Sequence, residues 1–221
     1  MLPETYIAAF LSACLSVFYV VNLYNLVRSR RRKEPSPFPI SQETSETMQP
    51  PRDFLVLVAF GTLIFWLKSF LYPVLVFTDT IRYLDNSFLT SRFFSSVFVQ
   101  VLGVVLSSVG YFIFTWSVIA RERYSTAWEM SANHKLVTWG PYRYVRHPSY
   151  LAYFVLFFGL FFIWPTWTSL LPLVAIPGYV RVAEAEEKML IHRFGDDYLV
   201  YQKEVGQFFP RFGKDKVGLH E

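Results

Sequence analysis

Runs of apolar residues long enough to cross a bilayer constrain this chain of 221 residues more than any other feature. A spanning helix needs about 20 apolar residues, and residues 6–27, 54–77 and 93–120 each meet that length. A fourth apolar region, residues 151–180, is broken by "WPTW" at 164–167. Each of its halves has roughly 14 residues, about 21 Å of helix, which is short for a hydrocarbon core of about 30 Å. The pair reads as a tight helical hairpin with the tryptophans at an interface. Hydrophobic residues make up 53% of the chain and charged residues only 17%, so the apolar surplus faces a solvent other than water. The expected fold is all-α: a polytopic membrane protein of about five transmembrane helices, the last two a hairpin, followed by a cytosolic amphipathic helix.

The first run follows "MLPET", which lacks the basic start of a signal peptide, and ends in "RSRRRKE" without a small-residue cleavage site. It reads as a retained helix. Residues 34–53 are rich in Pro, Ser, Thr and Gln and predict a flexible, partly disordered loop. Lys68 interrupts the second run, with Pro73 and Asp79 nearby, and is expected to snorkel toward an interface. Residues 1–123 then form an amino-terminal membrane region, and residues 124–221 a carboxy-terminal region carrying the polar motifs.

The formal charge of +4 does not point to nucleic acid, because the basic residues collect at the ends of apolar runs. Five crossings with the amino terminus outside put these clusters on one side, which the positive-inside rule makes cytoplasmic. The single cysteine, Cys14, excludes an internal disulfide and a Cys-based zinc site. No P-loop, dinucleotide fingerprint or HExxH is present.

Two polar elements remain on that side. One is "HKLVTWGPYRYVRHPSY", residues 134–150. Gly140-Pro141 bends the chain and Pro148 opens the next helix at its first turn, while His147 suits either a cap or a ligand-binding role. The other is the charged stretch from Arg181, where Glu184 and Glu187 share a helix face with Arg181 and Lys188 and Glu186 points elsewhere. Apolar Met189, Leu190, Phe194 and Tyr198 recur at helical spacing, and Gly195 and Pro210 offer stops.

On its own this helix reads as a solvated face with ordinary ion pairs. Together, the two elements meet the demands of S-adenosylmethionine. Carboxylates accept hydrogen bonds from ribose hydroxyls or an ammonium, aromatic faces stabilise a sulfonium, and glycine permits close backbone approach. Tyr142, Tyr144, Tyr150, Gly140 and the glutamates supply these parts. His134, His147 and His192 match no zinc or iron spacing, and Arg143 and Arg146 beside His147 repel a cation, so no metal is expected.

In their order and intervals, "HKLVTWGPYRYVRHPSY", the apolar hairpin, "EAEEKMLIHRFGDDYLVYQKEV" and the closing "FFPRF" resemble the carboxy-terminal half of the isoprenylcysteine carboxyl methyltransferase family. "RHPxY" alone is shared with phospholipid methyltransferases and membrane sterol reductases; the combined pattern is far more specific. The resemblance implies a membrane methyltransferase holding S-adenosylmethionine in a cytosol-facing pocket, with a lipidic or prenylated acceptor entering from the bilayer. It further implies that His134, Leu136, Val137, Gly140, Tyr142, His147, Pro148, Tyr150, Glu186 and Glu187 line or shape the cofactor site.

Arg181 and Glu186 are the implied catalytic residues. The family places an arginine four residues before the glutamate matching Glu186, whereas this chain has Val182 there and Arg181 one position earlier, about 100° around the helix. Rival readings are methylation of a phospholipid amine or small thiol, a sterol-type reductase using a nicotinamide cofactor, and a non-catalytic scaffold.

Overall fold

A computed structural model describes residues 2–30, 51–84, 92–93, 96–121 and 135–211. His134, most of the Pro-rich loop and Phe212 lie outside the described residues.

The apolar runs fold as helices: α1 (Glu4–Arg30), α2 (Arg52–Phe77) and α3 (Val97–Arg121), each long and apolar enough to cross a membrane. The fourth region forms α4 (Pro148–Ile163), which Pro148 opens as a first-turn residue. Trp164 ends α4, and two short turns, Trp167–Leu170 and Leu171–Val174, lead into α5 (Ala175–Phe194). Here the structure departs from the sequence reading. The charged stretch from Arg181 is no separate tail but the continuation of the hairpin's second arm, a single helix apolar at its start and charged at its end. Gly195, with φ of 55°, closes it. A short α6 (Asp196–Glu204) then carries the chain back across the end of α5.

The tightest helix contact joins α3 to α4, through small residues. A Cβ on Gly103 would lie 2.6 Å from the Ile163 nitrogen, and one on Gly159 would lie 2.5 Å from Ser107 Oγ. Close approach of this kind is how helices associate in lipid, where exclusion from water cannot drive them together. Buried Ser117 and Ser149 add a 2.8 Å hydrogen bond across the same seam.

The five helices alternate in direction. At one end the backbone nitrogen of Leu2 donates to Gln100, Arg92 pairs with Glu4, and Tyr72 packs on Trp164. At the other, Asn25 donates to the Val118 carbonyl, and the Phe54 carbonyl closes on Gly178. Between them an aromatic column, Phe18, Trp66, Phe114, Tyr153, Phe157 and Tyr179, fills the bundle. Lys68 reaches toward the end of the bundle at the "WPTW" segment. It is buried, with Nζ 3.1 Å from Thr166 Oγ1, 2.6 Å from Thr168 Oγ1 and 4.1 Å from the Trp164 ring centre. These partners supply the acceptors and the ring face that a buried ammonium needs.

Candidate active site

The polar end of the bundle is built on a buried cluster. Arg146 lies just before α4, and its fork grips Glu187 of α5, Nε to Oε1 at 2.9 Å and Nη2 to Oε2 at 3.1 Å. Gln202 of α6 donates to Glu187 Oε2 at 2.7 Å, and His147 Nε2 lies 3.0 Å from Oε1. The second terminal nitrogen of Arg146 donates to the Gln202 and Val205 carbonyls. Burial raises the Glu187 carboxyl, but the hydrogen bonds and charges of His147 and Arg146 outweigh it and hold Glu187 down to about 2. An ionised Glu187 accepts, so His147 Nε2 carries the proton it donates.

The chain after α6 straps this cluster in place. Gly206 and Gln207 carbonyls accept from the backbone nitrogens of Arg146 and His147 at 2.9 and 3.1 Å, and the Tyr201 hydroxyl donates to the Tyr142 carbonyl at 2.6 Å. Phe208 lies against both the His147 and Phe154 rings. His147 heads α4 without a side-chain cap hydrogen bond, because its ring is engaged by the glutamates.

Glu186 faces the other way, into a pocket. It accepts from the Tyr150 hydroxyl at 2.7 Å, and its second oxygen lies 3.6 Å from His147 Nδ1. Burial is the main influence on its carboxyl and pushes its pKa up despite the nearby positive charges. The Tyr150 ring is parallel to His147 within 6°. The pocket is lined by Leu136, Val137, Tyr142, His147, Pro148, Tyr150 and Glu186 among the predicted residues, and by Arg121, Lys135, Arg146, Ser149, Leu190, Tyr198 and Tyr201 beyond them.

Three predicted residues stand elsewhere. Gly140, φ 62°, does not line the pocket; a Cβ there would lie 2.9 Å from the Ala120 Cβ, so its backbone conformation lets the turn Gly140–Arg143 seat against the end of α3. Glu187 is saturated by Arg146, His147 and Gln202 and holds the loop rather than facing the cavity. Arg181 stands furthest from the pocket lining: its side chain is 55% exposed, pairs with Glu184 at 2.9 Å and leans over the Phe54 ring. The rotation by one helix position accounts for this placement. Arg121, which follows the third apolar run and lies outside the sequence motif, is one of the further lining residues.

Comparison with known proteins bears on the same region. The profile of a family described as phospholipid methyltransferase matches residues 98–197. The chain is 37% identical over 101 residues to the protein-S-isoprenylcysteine O-methyltransferase of Rattus norvegicus, covering 41% of this chain and 33% of that protein. The Homo sapiens protein of the same name is 35% identical over 101 residues, with 41% and 33% covered. The Schizosaccharomyces pombe protein of that name is 32% identical over 129 residues, with 56% and 54% covered. The matched stretch thus spans from a third to about half of these curated relatives.

Proposed function

From the phospholipid methyltransferase profile over residues 98–197 and the relatives named protein-S-isoprenylcysteine O-methyltransferase, we propose that the chain is a member of the isoprenylcysteine carboxyl methyltransferase family and an integral membrane methyltransferase. It uses S-adenosylmethionine and acts on the carboxylate of an isoprenylated cysteine or a similar lipidic acceptor, with pocket and carboxy terminus facing the cytoplasm. The observation that carries this reading is the division between the two glutamates: one is locked to Arg146, and the other presents its carboxylate to an aromatic pocket beside His147 and Tyr150.

The donor set fits the cofactor. Glu186 offers an acceptor for hydroxyl or ammonium groups, Tyr142, Tyr150, Tyr198 and Tyr201 offer ring faces to a sulfonium, and Leu136, Val137 and Leu190 offer apolar wall. Bound there, S-adenosylmethionine supplies a methyl group on a sulfonium; as carbon–oxygen bond formation accompanies carbon–sulfur cleavage, a carboxylate becomes an ester with no proton to move. The chain's residues then have to orient, neutralise and exclude water. The straps from residues 201–208 fix the loop that does so. His134 belongs to the proposed site by resemblance, outside the described residues.

The phospholipid methyltransferase match favours one second reading, an amine acceptor on the same scaffold. Isothermal titration of S-adenosylhomocysteine into the detergent-purified protein, with NADPH as control, tests the cofactor. Saturable binding of the former alone is expected; binding of NADPH instead, or of neither in folded protein, overturns the proposal.

A further inference from the structure

Arg121 is the last residue of α3, and it lines the same pocket as Glu186. Its Nε is buried and has no hydrogen-bond partner among the described residues. The guanidinium hydrogen-bonds Tyr142 through another nitrogen, so this one N–H is its free donor, and leaving a buried donor unsatisfied costs on the order of 1–3 kcal/mol unless a ligand accepts from it. The carboxylates close by are hydrogen-bonded elsewhere, Glu187 by Arg146, His147 and Gln202, and Glu186 by Tyr150; Glu186 feels the Arg121 charge but takes no hydrogen bond from its Nε. Lys135 adds a second positive charge to the same lining. Arg181, the cation that resemblance assigned to an acceptor, points away and is neutralised by Glu184.

The position of Arg121 suits a ligand anchored in lipid. Ser117, one turn before it, bonds to Ser149 of α4, and Trp139 donates to the neighbouring Ala120 carbonyl at 2.9 Å. Arg121 therefore stands where the apolar α3–α4 seam gives way to the polar end. An acceptor can keep its hydrocarbon in the bilayer while its head reaches the fork of donors.

Resting on the methyltransferase reading, we infer that Arg121 binds the anionic carboxylate of the acceptor and makes the enzyme select carboxylates over amines. A planar guanidinium matches a carboxylate with two parallel hydrogen bonds and repels an ammonium head. The role that relatives give to an arginine on the charged helix thereby moves in this chain to the end of α3.

The test uses the full-length protein in detergent and an N-acetyl S-prenyl cysteine, compared by titration with its carboxamide, which keeps the hydrocarbon and removes the charge. Wild-type protein is expected to bind the carboxylate at least tenfold more tightly than the carboxamide. In Arg121→Gln that preference falls to about twofold or less, S-adenosylhomocysteine affinity stays within about threefold of wild type, and kcat/KM drops about a hundredfold. Arg121→Lys, which keeps the charge without the fork and guards against a folding artefact, recovers part of the preference. Retention of the full carboxylate preference in Arg121→Gln overturns the proposal, as does a loss in Arg181→Ala equal to or larger than that in Arg121→Gln. Failure of the wild-type protein to bind S-adenosylhomocysteine instead removes the methyltransferase reading and this inference with it.

Discussion

Glu187 accepts hydrogen bonds from Arg146, His147 and Gln202, whereas Glu186 accepts from Tyr150 and lines the pocket, so neutralising each has a different expected effect. Glu187→Gln leaves Arg146 buried beside a neutral amide, and breaking a buried pair in this way costs about 3–5 kcal/mol. The expected result is a large fall in Tm. The pH dependence follows from the same contacts. With its folded pKa held at about 2, below the ordinary 4.5, Glu187 contributes stability that is present above pH 4.5 and lost as pH falls through about 2. Tm measured on acidification below about pH 4.5 should therefore drop in wild-type protein, and drop less steeply in Glu187→Gln. Glu186 has the opposite sign: its raised pKa makes its stabilising share complete below the unfolded value and lost as pH rises through the folded one. Glu186→Gln should keep or raise Tm at neutral pH while weakening S-adenosylhomocysteine by about tenfold or more, since a hydrogen bond to a charged acceptor is worth roughly 1.5–3 kcal/mol. An unchanged affinity would remove Glu186 from the cofactor site. The sequence motif brought His147, Pro148, Tyr150 and Glu186 together. It could not separate two adjacent glutamates, because their division rests on Arg146 and on Gln202, which lies on another helix.

Helix α4 depends on its seam with α3, where at Gly103 and Gly159 the nearest neighbours include backbone that cannot give way to an added methyl. A Cβ on Gly103 meets backbone at 2.6 Å, and one on Gly159 meets the Ser107 nitrogen at 2.9 Å. Gly103→Val or Gly159→Val must push the helices apart, at a cost of about 1–3 kcal/mol and with displacement of Pro148 and His147 at the head of α4. The expected readout is a lower Tm together with weaker S-adenosylhomocysteine binding, whereas the control Val105→Leu, on the exposed outer face of α3, should leave both values near wild type. Equal losses in the control would show that the membrane-facing surface, not the seam, sets stability. The existence of these helices was legible from run length. The seam also left a trace, since Gly103, Ser107 and Gly110 recur at helical spacing, though run length alone does not show it. The continuity of α5 was hidden, because hydropathy changes at Arg181 while the backbone does not: Gly178 packs on Phe54 at one end and Glu187 is gripped by Arg146 at the other, so both halves are held by tertiary contacts.

Across the whole molecule, the alternating helices carry the chain's basic ends to one side. Arg30 closes α1, Arg52 opens α2, Arg121 closes α3, Arg146 precedes α4 and Arg181, in the first half of α5, leans over Phe54 at the start of α2, all at the end that holds the pocket. The opposite end has Arg92, which is paired with Glu4. Because lysine and arginine bias decides which side stays in the cytoplasm, this asymmetry is what the proposed cytoplasmic orientation of the pocket predicts, and it can be tested. Cysteine labelling can read it in a Cys14→Ser background, since Cys14 is the single native thiol. Thr5→Cys places an exposed thiol at the end away from the pocket, and Phe209→Cys places one at the pocket end, where the native side chain is 76% exposed. A membrane-impermeant maleimide applied to intact cells should modify Thr5→Cys and leave Phe209→Cys untouched until the membrane is permeabilised. The reverse pattern would put the pocket outside, away from the cytoplasmic supply of S-adenosylmethionine, and would contradict the proposed activity on topological grounds alone. Labelling of both sites in intact cells would mean that the two ends share a compartment, which five alternating crossings forbid, and would require that at least one of the two shorter arms, α4 or the start of α5, dips into the bilayer without crossing it.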